Sequence, residues 1–281
     1  MYELTLKDFD LRMIMESGQV FRIQEIEKNL FFIAAGNRGI LVRQTGEFCQ
    51  FSCNEQEFHE FWYSYFDLET DYGKLKAAVD PNDEFLQAAL QYGGGIRVLR
   101  QDLWEMIISF LISQNNNISR IRKSIEALCD RYGTIHKVSQ EDSPESAPIF
   151  YSFPTPEAVF QGGLEGLQGL GLGYRDKYIL KMAERCRGKS GSEWLASLKK
   201  CSYEDAVTLL TSEFGIGRKV ADCICLFALH HVDAFPIDTH IRQILDQYYP
   251  QGFPFERYQG FAGILQQYMF AYKLTLPKNK Q

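Results

Sequence analysis

The chain has 281 residues, of which 45% are hydrophobic and 23% charged; that leaves room for two globular domains and excludes a disordered or low-complexity polypeptide. It shows neither a basic-then-apolar leader nor a run of about 18 apolar residues, so no signal peptide or membrane span is expected, and a cytoplasmic, nucleoid-associated location (nuclear in a eukaryote) is. The formal net charge of −6 hides an asymmetry: residues 1–95 carry 8 basic and 16 acidic side chains, residues 96–281 carry 22 and 20.

From the N-terminus, short apolar runs at 21–23, 30–35 and 40–44, separated by turn residues such as Gly36-Asn37-Arg38-Gly39, predict an antiparallel meander. The aromatic stretch 58–66 predicts a helix packed on that sheet, and 71–92 has helical spacing. Gly93-Gly94-Gly95 marks a boundary between a domain over 1–95 and another over 96–281. Beyond it the helical period runs through 103–113, 118–132, 174–187, 203–214, 220–230, 239–248 and 255–272. The expected class is α+β, a small N-terminal antiparallel β domain with helices followed by a larger all-α domain. Residues 139–156, with their prolines and serines, predict a surface connection.

Basic side chains cluster at 96–123 (five against two acidic) and 171–189 (six against two), which offers a local surface for phosphate. A solvated helix face is the other reading of either cluster. The seven cysteines, Cys49, Cys53, Cys129, Cys186, Cys201, Cys223 and Cys225, form no Cys-x-x-Cys pair and predict reduced thiols.

The richest segment is 213–240. Gly215-Ile216-Gly217 joins two predicted helices by a tight turn that larger side chains would block. The start of the second helix offers N–H donors and a positive dipole end to an anion such as a DNA phosphate. Lys219, Cys223 and Phe227 are four apart and share one face. A nucleophilic lysine needs a depressed pKa, towards which the helix N-terminus and neighbouring Arg218 are expected to push; a solvated lysine and a buried filler cysteine are the alternatives. Asp238, after Pro236 and before an apolar-periodic helix, occupies an N-cap position from which a carboxylate also stabilises developing positive charge. His240 is placed to meet a phosphate or to sit half-buried.

Gly215 to Leu226, followed by Pro236-Ile237-Asp238-Thr239-His240, resembles the helix-hairpin-helix signature of 8-oxoguanine DNA glycosylases. Ser17-Gly18-Gln19-Val20-Phe21, Leu99-Arg100-Gln101-Asp102, Ser113-Gln114-Asn115-Asn116-Asn117-Ile118-Ser119-Arg120 and Leu170-Gly171-Leu172-Gly173-Tyr174-Arg175 extend the resemblance over nearly the whole chain. Phe214 departs from it, standing where proline is usual.

The resemblance implies a bifunctional glycosylase and abasic-site lyase that extrudes 8-oxoguanine from duplex DNA. Lys219 would be the nucleophile and Asp238 the stabiliser of the cationic sugar. Gly18, Cys223, Gln266 and Phe270 would bind the base. Asn115, Arg120, Tyr174 and Arg175 would contact the opposite strand and favour cytosine there, while Gly215, Gly217 and His240 would meet the backbone. It also implies a monomer whose partner is double-stranded DNA containing oxidised guanine, with no membrane. No cofactor, no metal ligated by side chains and no iron–sulfur cluster is expected, and the hairpin carbonyls offer a place for a structural cation. The alternatives are a lysine-dependent glycosylase for another oxidised base and a non-catalytic DNA-binding module.

Overall fold

A computed structural model describes residues 1–138 and 148–277. The first part of the expected surface connection, 139–147, lies outside the described residues.

Five antiparallel strands form the N-terminal sheet: β1 (Tyr2–Thr5), β2 (Ile23–Glu27), β3 (Leu30–Ala35), β4 (Arg38–Thr45) and β5 (Phe48–Phe51), in the order β1-β5-β4-β3-β2. The expected meander is the β2-β3-β4 part, with Ile33 opposite Ile40 and Phe31 opposite Val42. Strands β1 and β5 are four residues each and pair Tyr2 with Phe51, a long-range partnership with no local turn to announce it. Phe31, Ile33, Ile40, Val42 and Phe51 point to one core, closed by helix α1 (Leu11–Glu16) and by the predicted aromatic helix. That helix begins as α2 (Glu55–Glu57), passes through a π turn over Phe58–Trp62 and ends as α3 (Tyr63–Tyr65), burying Phe58 and Trp62.

The stretch 71–92 is two helices, α4 (Tyr72–Ala77) and α5 (Glu84–Gly93). Pro81 lies in the break, and Asp83 caps α5 by accepting from Leu86 N. Both helices turn their apolar residues, among them Tyr72, Leu86 and Leu90, into the second, helical core rather than the sheet core.

The helical part continues with α6 (Leu103–Ser113), α7 (Ile118–Tyr132), α8 (Pro156–Leu167), α9 (Asp176–Cys186), α10 (Gly188–Leu198), α11 (Tyr203–Thr211), α12 (Arg218–Phe227), α13 (Thr239–Tyr248) and α14 (Ala262–Thr275). Between α7 and α8, β6 (Ile135–Lys137) pairs with β7 (Ile149–Tyr151), a ribbon not expected in an all-α domain. Its three-residue strands are too short to show a period, and Phe150 seals the outer face of the sheet with Ala34 and Leu41. The stretch 255–272 is likewise interrupted. A 3-10 turn over Phe255–Tyr258 and Gly260 at φ +89° precede α14.

Candidate active site

The glycine hairpin joins α11 to α12. Gly215 has φ +89°, and a Cβ there would lie 2.5 Å from the Tyr178 ring, so no other residue fits. Gly217 is the N-cap of α12 and supplies no side-chain oxygen, which leaves first-turn N–H groups open at the surface. Gln114 Nε2 donates to Gly215 O at 3.0 Å and so ties the asparagine loop to the hairpin. Glu213 O and Gly217 O accept from Ile216 N and Ala221 N, so a cation at these carbonyls would share them with existing donors. Among the described residues, no group of three or more His, Cys, Asp or Glu side chains is placed to hold a metal.

Lys219, Cys223 and Phe227 line one pocket, as their four-residue spacing predicts. Asp238 faces the same pocket, and its carboxylate accepts from Ile241 N at 2.8 Å, so the capping and cleft-facing readings hold together. From α14 come Gln266 and Phe270, and from the turn after α1 comes Gly18, with φ +77° and a Cβ position 3.6 Å from the Phe270 ring. The turn carrying Gly18 is pinned by Gln19, whose Nε2 donates to Arg97 O and whose Oε1 accepts from Leu99 N, both at 2.9 Å or less. All six residues expected at the reacting bond and the base therefore line a single pocket. Ser17, Phe110, Pro236 and Gln267 complete its wall. Phe110 stacks on Phe227 with centroids 5.5 Å apart, a contact for which the sequence has no signal. The cavity is about 60 Å³, well below the several hundred Å³ of ordinary ligand clefts, so a base must widen it. Phe270 is only half-buried and meets His240 edge-to-face at 5.8 Å.

The electrostatics of Lys219 differ from the sequence expectation. Arg218 does not push on the amine, because its guanidinium turns to Asp222 at 2.9 Å and to Tyr203 Oη at 3.1 Å. The residue as a whole is exposed, yet its amine is crowded by Cys223, Asp238 and the Phe110 ring, 5.9 Å away. Cys223, and after it Asp238, hold the ammonium above its ordinary range against the opposing desolvation. Burial pushes the Cys223 thiol up as well. At neutral pH the cysteine is therefore a thiol, which leaves Asp238 as the anion beside the ammonium.

The residues expected on the opposite strand divide in two. Asn115, at φ +46°, Arg120 and Tyr174 are exposed, and among the described residues no ion pair engages the Arg120 guanidinium. Arg175 is 8% exposed and donates to Leu172 O, Gln114 O and Asn115 O, with its guanidinium 4.6 Å from the Tyr174 ring centroid. It braces the Asn115 loop. The basic cluster over 96–123 also disperses on folding: Arg97 donates to the carbonyls of Lys7, Asp8, Asp67 and Thr70, and Arg100 pairs with Asp67.

Residues 1–107 match the family model for the 8-oxoguanine DNA glycosylase N-terminal domain, and residues 108–252 match the HhH-GPD superfamily of base excision DNA repair proteins. An N-glycosylase/DNA lyase of Saccharomyces cerevisiae is 38% identical over 164 residues, a stretch that covers 55% of this chain and 42% of the yeast protein. A probable N-glycosylase/DNA lyase of Methanothermobacter thermautotrophicus is 30% identical, over 86% of this chain and 83% of its own length. The crystal structure of a Clostridium acetobutylicum 8-oxoguanine glycosylase/lyase, bound to double-stranded DNA with cytosine opposite 8-oxoguanine, superposes with a TM-score of 0.84 at 30% identity, over 95% of this chain and 92% of that one. The chain belongs to the HhH-GPD superfamily of base excision DNA repair proteins, in the branch that carries the 8-oxoguanine DNA glycosylase N-terminal domain.

Proposed function

We propose that this protein excises 8-oxoguanine from duplex DNA and then cleaves the abasic strand, with Lys219 as nucleophile. The observation that carries the reading is the convergence of Lys219, Asp238, Cys223, Phe270 and Gly18 on one pocket beside an uncapped helix N-terminus. The base must leave the stack for its glycosidic carbon to be reached, and the hairpin N–H groups hold the backbone while it does so.

Lys219, as the free amine, bonds to C1′ as the C1′–N9 bond breaks, and the bonding pair leaves with the base, which takes up a proton. Asp238 offsets the positive charge that grows on the sugar. The C1′–O4′ bond then opens, its pair leaving with O4′, which takes up a proton, while the nitrogen pair closes the C1′=N bond; this Schiff base acidifies the 2′ hydrogens, so that loss of one expels the 3′ phosphate. The carbonyl of Gly18 would accept the N7–H that 8-oxoguanine has and guanine lacks; against the N7 lone pair of guanine it is repulsive. Cys223 and Phe270 would sandwich the ring, with Gln266 at its pairing edge. Asn115, Arg120 and Tyr174 would enter the vacated stack and read cytosine, with Arg175 holding their loop.

Borohydride trapping on an 8-oxoguanine:cytosine duplex tests this. A covalent adduct is expected from the native protein and none from Lys219→Gln, which still binds the duplex. Nicking by Lys219→Gln at the native rate would overturn the assignment of the nucleophile. Trapping on other oxidised bases but not on 8-oxoguanine would favour the other-substrate reading.

A further inference from the structure

Gln267, next to Gln266 on α14, is 3% exposed and lines the same pocket. A short chain of hydrogen bonds fixes which way both amides point. Pro236 O can only accept, so Gln266 turns its NH₂ to it, at 2.9 Å. That leaves Gln266 Oε1 facing its neighbour, and Gln267 answers with its own NH₂, again at 2.9 Å. Flipping either amide would set two acceptors or two donors against each other, so the assignment follows from the carbonyl at the end of the chain. What remains is Gln267 Oε1, a buried acceptor that no donor of the described residues reaches. Folded proteins seldom leave such a group unpaired, because its desolvation is uncompensated.

We propose that Gln267 is a specificity-determining residue whose Oε1 accepts a hydrogen bond from the pairing edge of the purine drawn into the pocket. The inference rests on the proposed excision of a flipped purine. An acceptor selects a donor, so the edge it takes is one that carries N1–H and an exocyclic amine beside it, as in guanine-type bases. A base with a bare N1, as in adenine, sets lone pair against lone pair. Gly18 would thus read the oxidised side of the ring and Gln267 the opposite side. A site built to receive a donor discriminates strongly against the analogue that lacks it.

Binding is measured in the Lys219→Gln background, with and without Gln267→Met, on duplexes carrying 8-oxoguanine, 8-oxoadenine or guanine opposite cytosine. The methionine variant is expected to bind 8-oxoguanine roughly ten- to a hundredfold more weakly, while its affinity for the other two duplexes stays within about twofold. Unchanged affinity for 8-oxoguanine, or equal weakening on all three duplexes, would overturn the inference, the second because Gln267 would then not act on the flipped base. Should the variant fail to fold, excision by the native protein of 8-oxoguanine, 8-oxohypoxanthine and 8-oxoadenine replaces it. The inference then requires the base without N1–H to be cleaved slowest, and equal rates would overturn it. Absence of any preference for 8-oxoguanine over guanine in the parent protein would instead defeat the functional reading itself.

Discussion

At Lys219 the proposed chemistry asks for a free amine, and the resting site favours an ammonium. The Cys223 sulfur, as hydrogen-bond acceptor, and the Asp238 carboxylate hold the proton on it, and the cation expected to drive it off, Arg218, is neutralised by Asp222. The attacking form is then a minority species at neutral pH, and its fraction grows about tenfold per pH unit below the pKa. The rate of borohydride trapping should accordingly rise with a log slope near one from about pH 6 to about pH 9. A plateau from neutrality upward would show the amine to be depressed instead. The spacing of Lys219, Cys223 and Phe227 made their common wall legible from sequence, because a helix fixes which residues share a face. The direction of the Arg218 side chain was only half legible: Asp222 lies four residues on along the same helix, whereas Tyr203 comes from another and its contact was not legible. The same holds for Arg175, whose partners are backbone carbonyls of a loop about 60 residues away.

Helix α13 combines two roles at its first position. Asp238 caps the helix through Ile241 N and faces the amine, and the two roles respond differently to substitution. Asparagine caps as well as aspartate but carries no charge, whereas alanine does neither. Asp238→Asn should therefore unfold in urea within a few tenths of a kcal/mol of the parent, on the order of experimental scatter, yet excise far more slowly with near-normal DNA binding. Asp238→Ala should lose the same activity and about 1 kcal/mol of stability as well. Equal stability of the two variants would show that the cap is dispensable. Capping also fixes where several of the predicted helices start. Helices α6, α7 and α13 begin where expected because Asp102, Asn117 and Asp238 mark their starts. Helices α8 and α10 went unannounced. Each carries glycines that weaken the helical signal, and each is held by buried residues, Val159 and Leu167 in one and Trp194 and Leu198 in the other.

Across the whole molecule the pocket needs the sheet part and the helical part in register, because Gly18 comes from one and Lys219 from the other. Asp67 joins them. Its side chain is fully buried and accepts from Tyr72 Oη, Thr70 Oγ1 and twice from Arg100, while His230, just beyond α12, places Nε2 3.4 Å from the second oxygen, an ion-pair distance too long for a good hydrogen bond. Burial alone would raise this carboxyl; the contacts of His230, then Tyr72 and Arg100, outweigh it and hold the group below the ordinary aspartate range. A depressed carboxyl contributes stability that is complete above its unfolded pKa, about 3.9, and is lost as pH falls through the folded value. Asp67→Asn removes that contribution and leaves Arg100 and His230 facing a neutral group. It should cost about 3 kcal/mol in urea unfolding at neutral pH, as expected on breaking a buried ion pair. The sign of the pH effect follows. The gap between parent and variant should be constant above about pH 5 and should narrow below about pH 4, where the unfolded parent's carboxyl takes up a proton that the folded one still refuses. Because the hub lies away from the reacting bond, the variant's excision defect at low temperature should be smaller than its stability loss implies. A gap that stayed constant down to about pH 3 would mean that the carboxyl takes up its proton alike in the folded and unfolded chains, so that its partners do not hold it below the ordinary range.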